Sequence, residues 1–220
     1  MRTSDETAAP LIGDTERLLR LGISKVPIPS AILKESSRWA KELTQLTPMI
    51  MAAQGDSEYA FYRNIMEEPE LGFPLHEILV EEVQAALQTY FGVSKEELRL
   101  DDAFVVHYNA DQGDTSGAKH MDPSDITINM CIEKSESVEG SEVKFYGGKT
   151  LAGVEDNDNI DSNLEFRVPQ EEGFATIHFG SHPHETLPLI KGGKRTNIIL
   201  TYCYLDKSRS DVDKRNCYFV

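Results

Sequence analysis

The chain is short of positive charge. Its 22 Lys and Arg stand against 37 Asp and Glu, a formal net charge of -15. An acidic surface repels phosphate backbones and anionic lipid headgroups, whose capture needs clustered Lys and Arg. No stretch combines basic residues with interleaved aromatics, so neither nucleic acid nor a membrane is expected as a partner. Cysteine is scarce as well: Cys131, Cys203 and Cys217 are an odd number, and two of them lie in apolar runs where a free thiol is at home. A disulfide framework is excluded on this count, and a reducing compartment, cytoplasmic or nuclear, is expected. Long hydrophobic runs are also missing. The segment Met1-Arg2-Thr3-Ser4-Asp5-Glu6 lacks the apolar stretch of a signal peptide, and no later run approaches the length of a membrane span. Cys217-Tyr218-Phe219-Val220 puts a cysteine where a prenylation box would have it, but aromatics fill the middle positions that aliphatics usually occupy, so an unmodified tail is the expectation.

What is present suffices for one core. A chain of 220 residues with 40% apolar content folds as one domain. Residues 1–93 read as a helical flank. Helical spacing of Ile32, Leu33, Trp39, Ala40, Leu43 and Leu46 predicts a helix over 30–46, and Leu75, Ile78, Leu79, Val83, Ala86, Leu87 and Tyr90 predict another over 74–91, stopped by Gly92. From about Leu98 the period changes. The runs 104–108, 126–132, 143–146, 174–179 and 198–205 are rich in β-branched and aromatic residues and are separated by Gly-, Asp-, Asn- and Ser-containing loops. Residues 94–206 are therefore expected to form a β core, with 207–220 as a tail. In Ile126-Thr127-Ile128-Asn129-Met130 apolar side chains alternate with small polar ones, which predicts one face on the core and one on a wetter cavity. The acidic run 155–163 suggests a calcium loop but lacks the central Gly and terminal Glu, so a solvated loop is expected there.

The residues that carry chemistry are few. Two histidines and a carboxylate on one face of a divalent metal leave the opposite face open for co-substrate and dioxygen, the ligand set of non-haem iron(II) oxygenases. His120-Met121-Asp122 has the i, i+2 spacing that projects two ligands from one strand end. Six histidines and 37 acidic residues give roughly one His-x-acid by chance, so context decides: Pro123-Ser124 makes a turn and the alternating strand follows at once. The third ligand must return from a distant strand. His184 is the candidate and His182 the rival, the latter restricted by Pro183 to the turn. A buried Arg would suit the far carboxylate of a dicarboxylate co-substrate. Arg195 precedes an apolar strand that could carry it inward; a solvated Lys191/Lys194/Arg195 cluster accounts for it equally well on sequence alone.

Taken in order, four blocks resemble the prolyl and lysyl hydroxylase-like branch of the iron(II)/2-oxoglutarate dioxygenases: Phe104 to Tyr108, His120 to Asn129, Gly140 to Phe145, and Gly173 through His184 to Asn197. The resemblance implies an α+β fold that is mainly β, a double-stranded β-helix (jelly roll) with N-terminal helices packed on it. It implies iron(II) held by His120, Asp122 and His184, and 2-oxoglutarate and dioxygen as co-substrates, with ascorbate as an accessory. Arg195 would anchor 2-oxoglutarate, with Lys194 in reserve and Tyr108 and Asn129 as further contacts. The implied reaction hydroxylates a prolyl or lysyl side chain in a protein or peptide, releasing succinate and CO2; a free amino acid or other small molecule is the alternative substrate. Because Asp122 keeps the carboxylate that related halogenases lack, hydroxylation is expected. Two departures stand out: Gly140-Ser141 where many relatives have Gly-Gly, and an interval from His184 to Arg195 one residue longer than usual, with Gly192-Gly193 as the expected bulge. A zinc site on the same ligands and a non-catalytic β-helix binding module are the competing readings.

Overall fold

A computed structural model describes residues 9–45, 61–64, 81–110, 115–154 and 163–215. Strands and helices are numbered in chain order. The larger sheet has six strands in the spatial order β1 (Ile23–Pro27), β9 (Phe174–Phe179), β5 (Ile126–Lys134), β12 (Lys194–Tyr204), β3 (Leu98–Asn109) and β2 (Phe61–Asn64), every pair antiparallel. The smaller sheet runs β4 (Gly117–His120), β10 (His184–Thr186), β7 (Val143–Tyr146), β8 (Glu165–Val168). β6 (Glu139–Gly140) and β11 (Leu189–Lys191) pair as a short ribbon. This is the expected double-stranded β-helix.

Alternation along the strands assigns the two faces of the larger sheet. Ile126, Ile128 and Met130 of β5, with Ile198 and Leu200 of β12, are fully buried on the outer face. There they pack on Val83, Leu87 and Phe91 of helix α3 (Glu81–Phe91). The intervening positions Thr127, Asn129, Arg195 and Asn197 must then face the smaller sheet. At one end of the space between the sheets Ile23, Leu18, Phe145 and Phe166 form a second apolar cluster, to which helix α1 (Thr15–Arg20) contributes Leu18. Asp14 caps α1, its carboxylate accepting the Arg17 N–H at 2.8 Å.

The helix expected over 30–46 is α2 (Ser30–Gln45). Of the one expected over 74–91, residues 81–91 are helical and 74–80 lie outside the described residues, as do His76, the acidic run up to Ser162, and Cys217. The N-terminal flank differs from expectation in one respect: it is not only helical, because β1 and β2 belong to the larger sheet, one at each edge. Ile23-Ser24-Lys25-Val26-Pro27 is too short to declare itself by periodicity; pairing with β9 makes it a strand.

Candidate metal centre

Register builds the site. In the smaller sheet His184 pairs with His120 on one side and with Phe145 on the other, and Phe145 pairs with Phe166. Side chains in register lie on one face, so the two histidines and two phenylalanines form a row across the sheet. The ring centroids are spaced 4.4, 5.5 and 5.7 Å along it. Asp122 follows β4 in the turn and joins the end of this row. Its Oδ1 lies 3.3 Å from His120 Nε2 and 3.7 Å from His184 Nε2, and one ligand atom from each of the three residues falls within 4.8 Å of the others. Ligands about 2.1 Å from a common ion sit roughly 3 to 3.4 Å apart. The described geometry needs little adjustment to close on one.

The surrounding bonds aim the ligands. His120 Nδ1 is 2.7 Å from the Ala118 carbonyl and His184 Nδ1 is 2.9 Å from the His182 carbonyl. A carbonyl only accepts, so each Nδ1 must carry hydrogen, which leaves both Nε2 lone pairs turned toward Asp122. Asp122 Oδ2 accepts from Thr127 Oγ1 at 2.5 Å, which reserves Oδ1 for the histidine side. Thr127 had no assigned role in the sequence, although it is the first inward position of an alternating strand that begins four residues after Asp122. Thr127→Val, which keeps the shape and removes the donor, is expected to weaken metal binding about 10- to 100-fold in a cobalt(II) titration. Unchanged affinity would remove Thr127 from this role.

Burial would raise the Asp122 carboxyl, but His184, His120 and His178 together hold it well below the usual carboxylate range. Burial pushes His184 down to about 4 and His182 to about 3. For His120 the cost of burial is outweighed by the Asp122 carboxylate, to which Nε2 donates when the ring is protonated, and its value rises. Thus His184 and His182 are neutral in the folded metal-free protein at pH 5 and protonated when unfolded, since their ordinary value is 6.5. Each contributes stability that is complete above pH 6.5 and lost as pH falls toward 4, at about 1.4 kcal/mol per pH unit per proton; His120 offsets part of this. Thermal unfolding of the metal-free protein between pH 7 and 4.5 is therefore expected to show a steep fall in midpoint, and a flat profile would contradict the buried neutral histidines.

The remaining sequence candidates separate cleanly. His182, the rival ligand, is fully buried, bonds the Gly147 carbonyl through Nε2 at 3.0 Å, and packs 4.8 Å from the Phe145 ring, away from the triad. His178 is buried behind His184, ring to ring at 4.9 Å, with Nδ1 3.0 Å from the Phe179 carbonyl. It supports the third ligand. His107 bonds Thr196 Oγ1 at 2.8 Å, across from it on β12. Arg195 is 3% exposed, donates from Nη1 to the Ser141 carbonyl at 2.7 Å, and stacks over the Tyr108 ring at 4.8 Å. Its Nε has no hydrogen-bond partner among the described residues. Asn129 accepts from Asn197 Nδ2 at 2.6 Å. Lys194 turns to the other side of the strand, where its half-exposed side chain pairs with Glu133 at 2.8 Å. Ser141, noted in the sequence only as a departure from Gly-Gly, and Gln170, not noted there, are both buried beside this group and have an unpartnered Oγ and Nε2 among the described residues.

Neither a protein-family model nor a curated protein sequence matches the chain. Solved structures do match. An oxidoreductase of the 2OG-Fe(II) oxygenase family from Burkholderia pseudomallei superposes with a TM-score of 0.64 at 13% identity, covering 90% of this chain and 96% of that one. The non-haem α-ketoglutarate-dependent carbocyclase SnoK of nogalamycin biosynthesis gives 0.61 at 14% identity, covering 92% and 90%. HygX from Streptomyces hygroscopicus, solved with nickel and 2-oxoglutarate bound, gives 0.58 at 11% identity, covering 93% of each chain. In fold, the chain is similar to structures of the 2OG-Fe(II) oxygenase family across nearly its whole length.

Proposed function

We propose that the protein is an iron(II)- and 2-oxoglutarate-dependent oxygenase acting on a small organic molecule. The observation that carries this reading is the pairing of two features in one interior: a triad with both Nε2 lone pairs and a carboxylate oxygen converging, and a buried guanidinium with an unspent donor on the sheet facing it. A zinc hydrolase would account for the first and leave the second without a task. The donor set suits iron(II), and His120, Asp122 and His184 would hold it. When bound, iron with the 2-oxo acid supplies the means of activating dioxygen, with succinate and CO2 as by-products. The chain's own part is orientation. Thr127 and the two backbone carbonyls fix the ligand atoms, Arg195 receives the remote carboxylate of the co-substrate, and Tyr108 stacks on Arg195 and holds its plane. Phe145, on the same row as His184, walls the site against water on that side.

The prolyl or lysyl side chain expected from the sequence resemblance rests on motifs that mainly build the metal and co-substrate positions, and these are common to many substrates. Similar folds include an epimerase solved with nogalamycin RO and a carbocyclase of nogalamycin biosynthesis, which favours the small-molecule alternative. The test is an anaerobic titration of the metal-free protein with iron(II) and 2-oxoglutarate, followed by the visible charge-transfer band of a chelated 2-oxo acid. The band is expected in the wild type and at much higher 2-oxoglutarate concentration in Arg195→Gln. Iron binding without the band would overturn the oxygenase reading in favour of a metal-binding module. In a coupled succinate assay with ascorbate present, stimulation by small amphiphilic metabolites and not by proline- or lysine-containing peptides is the expected substrate result.

A further inference from the structure

Ser141 stands where serine is poorly suited. Its φ of 67° lies in the left-handed region, and it is the one described residue other than glycine that does so. It is 1% exposed, and its hydroxyl has no hydrogen-bond partner among the described residues. Glycine would remove both penalties, and the residue before it is already glycine, Gly140 at φ 82°. Such strain persists where the residue has a task.

The surroundings indicate the task. The Ser141 carbonyl accepts Arg195 Nη1 at 2.7 Å, so the hydroxyl of the same residue lies within one residue's reach of the guanidinium. Arg195 Nε is also buried and without a partner among the described residues. Two unspent buried donors, one on β12 and one in the turn between β6 and β7, thus belong to residues joined by a direct hydrogen bond. A buried hydroxyl left unpaired is costly, and a carboxylate accepts several bonds at once.

We infer that the Ser141 hydroxyl is a second donor to the carboxylate seated at Arg195, making this chain's co-substrate seat a serine–arginine pair. The inference rests on the proposed oxygenase function. Ser141 is a binding residue here: the hydroxyl gives its hydrogen to one carboxylate oxygen while Arg195 Nε engages the carboxylate from the side, and no bond is made or broken.

The inference predicts opposite signs for affinity and stability. 2-Oxoglutarate is titrated by calorimetry into the cobalt(II)-loaded wild type, Ser141→Ala and Ser141→Gly, and the unfolding midpoint of each metal-free protein is measured. Both variants are expected to bind cobalt(II) as the wild type does and 2-oxoglutarate about ten-fold more weakly, in line with the loss of one hydrogen bond to a charged group. Ser141→Gly is expected to melt at or above the wild-type midpoint. Wild-type 2-oxoglutarate affinity in both variants, or a lower melting midpoint for Ser141→Gly, would overturn the role of Ser141 and leave the oxygenase reading standing. If the wild type itself binds no 2-oxoglutarate, the oxygenase reading fails and this inference with it.

Discussion

Asp122→Ala is expected to reduce succinate release to background while the protein remains folded. Asp122 is the sole anion in the triad, and its Oδ1 is the atom nearest both Nε2 groups, at 3.3 and 3.7 Å. Two neutral imidazoles hold a divalent ion far more loosely than a triad that includes a carboxylate. The fold should survive because the substitution removes a buried charge; what it leaves behind is Thr127, whose hydroxyl keeps Ser124 Oγ at 3.2 Å. Iron content, succinate yield and the melting midpoint measured on the same sample test the point together. Normal iron content with normal turnover would refute the ligand assignment; a collapsed midpoint would indicate that Asp122 is needed for folding.

The second large effect belongs to a residue that touches no ligand atom. A Cβ added to Gly180 would lie 2.0 Å from the Ser124 carbonyl oxygen, a separation that no relaxation of a side chain relieves because the obstacle is backbone. The turn after the first two ligands and the turn before the third are pressed together at this point. They are tied by two bonds of 2.9 Å, Asp122 N to the Gly180 carbonyl and Gly180 N to the Asp125 carbonyl. Gly180→Ala must push the turns apart, which moves Asp122 away from His184. A destabilisation of about 3 kcal/mol is expected, at the upper end for overpacking, together with loss of tight iron binding. A variant that keeps both its midpoint and its iron affinity would show that the turns are not coupled through this contact.

How much of this could be read from the sequence differs by element. The strands at 143–146 and 174–179 occur with the expected limits, and the alternation in 126–132 assigned its two faces correctly. These segments carry their own period. β1 and β10 do not: five residues ending in Pro27 and three beginning at His184 are strands because of their partners. The site was legible in proportion to the chemistry of its residues. His120, Asp122 and His184 were singled out because few residue types bind metal, and the structure brings all three together. Counting from His184 pointed to Lys194 and the Arg-Thr-Asn match to Arg195, which was preferred; strand parity sends Arg195 into the interior and Lys194 to Glu133. Thr127 and Gly180 were not assigned, because a threonine and a close-approach glycine acquire meaning only once distant segments meet. Ser141 is the intermediate case: the departure from Gly-Gly was visible, and its left-handed backbone and unpartnered hydroxyl were not.

The place of β12 in the larger sheet bears on the order in which this protein can assemble. β12 lies between β5 and β3, both far upstream, and it carries Arg195 into the interior. While the ribosome is still making residues before 194, β3 and β5 each have an edge waiting for a strand that does not yet exist. His120 and Asp122 emerge well before His184, so a nascent chain displays two metal ligands without the third and without the arginine. Contacts of this span make folding slow and postpone it until the late strand is available. The candidate triad and Arg195 can come together only after residue 195 has been made, so the half-made chain has no closed site in which a wrong ion could be trapped.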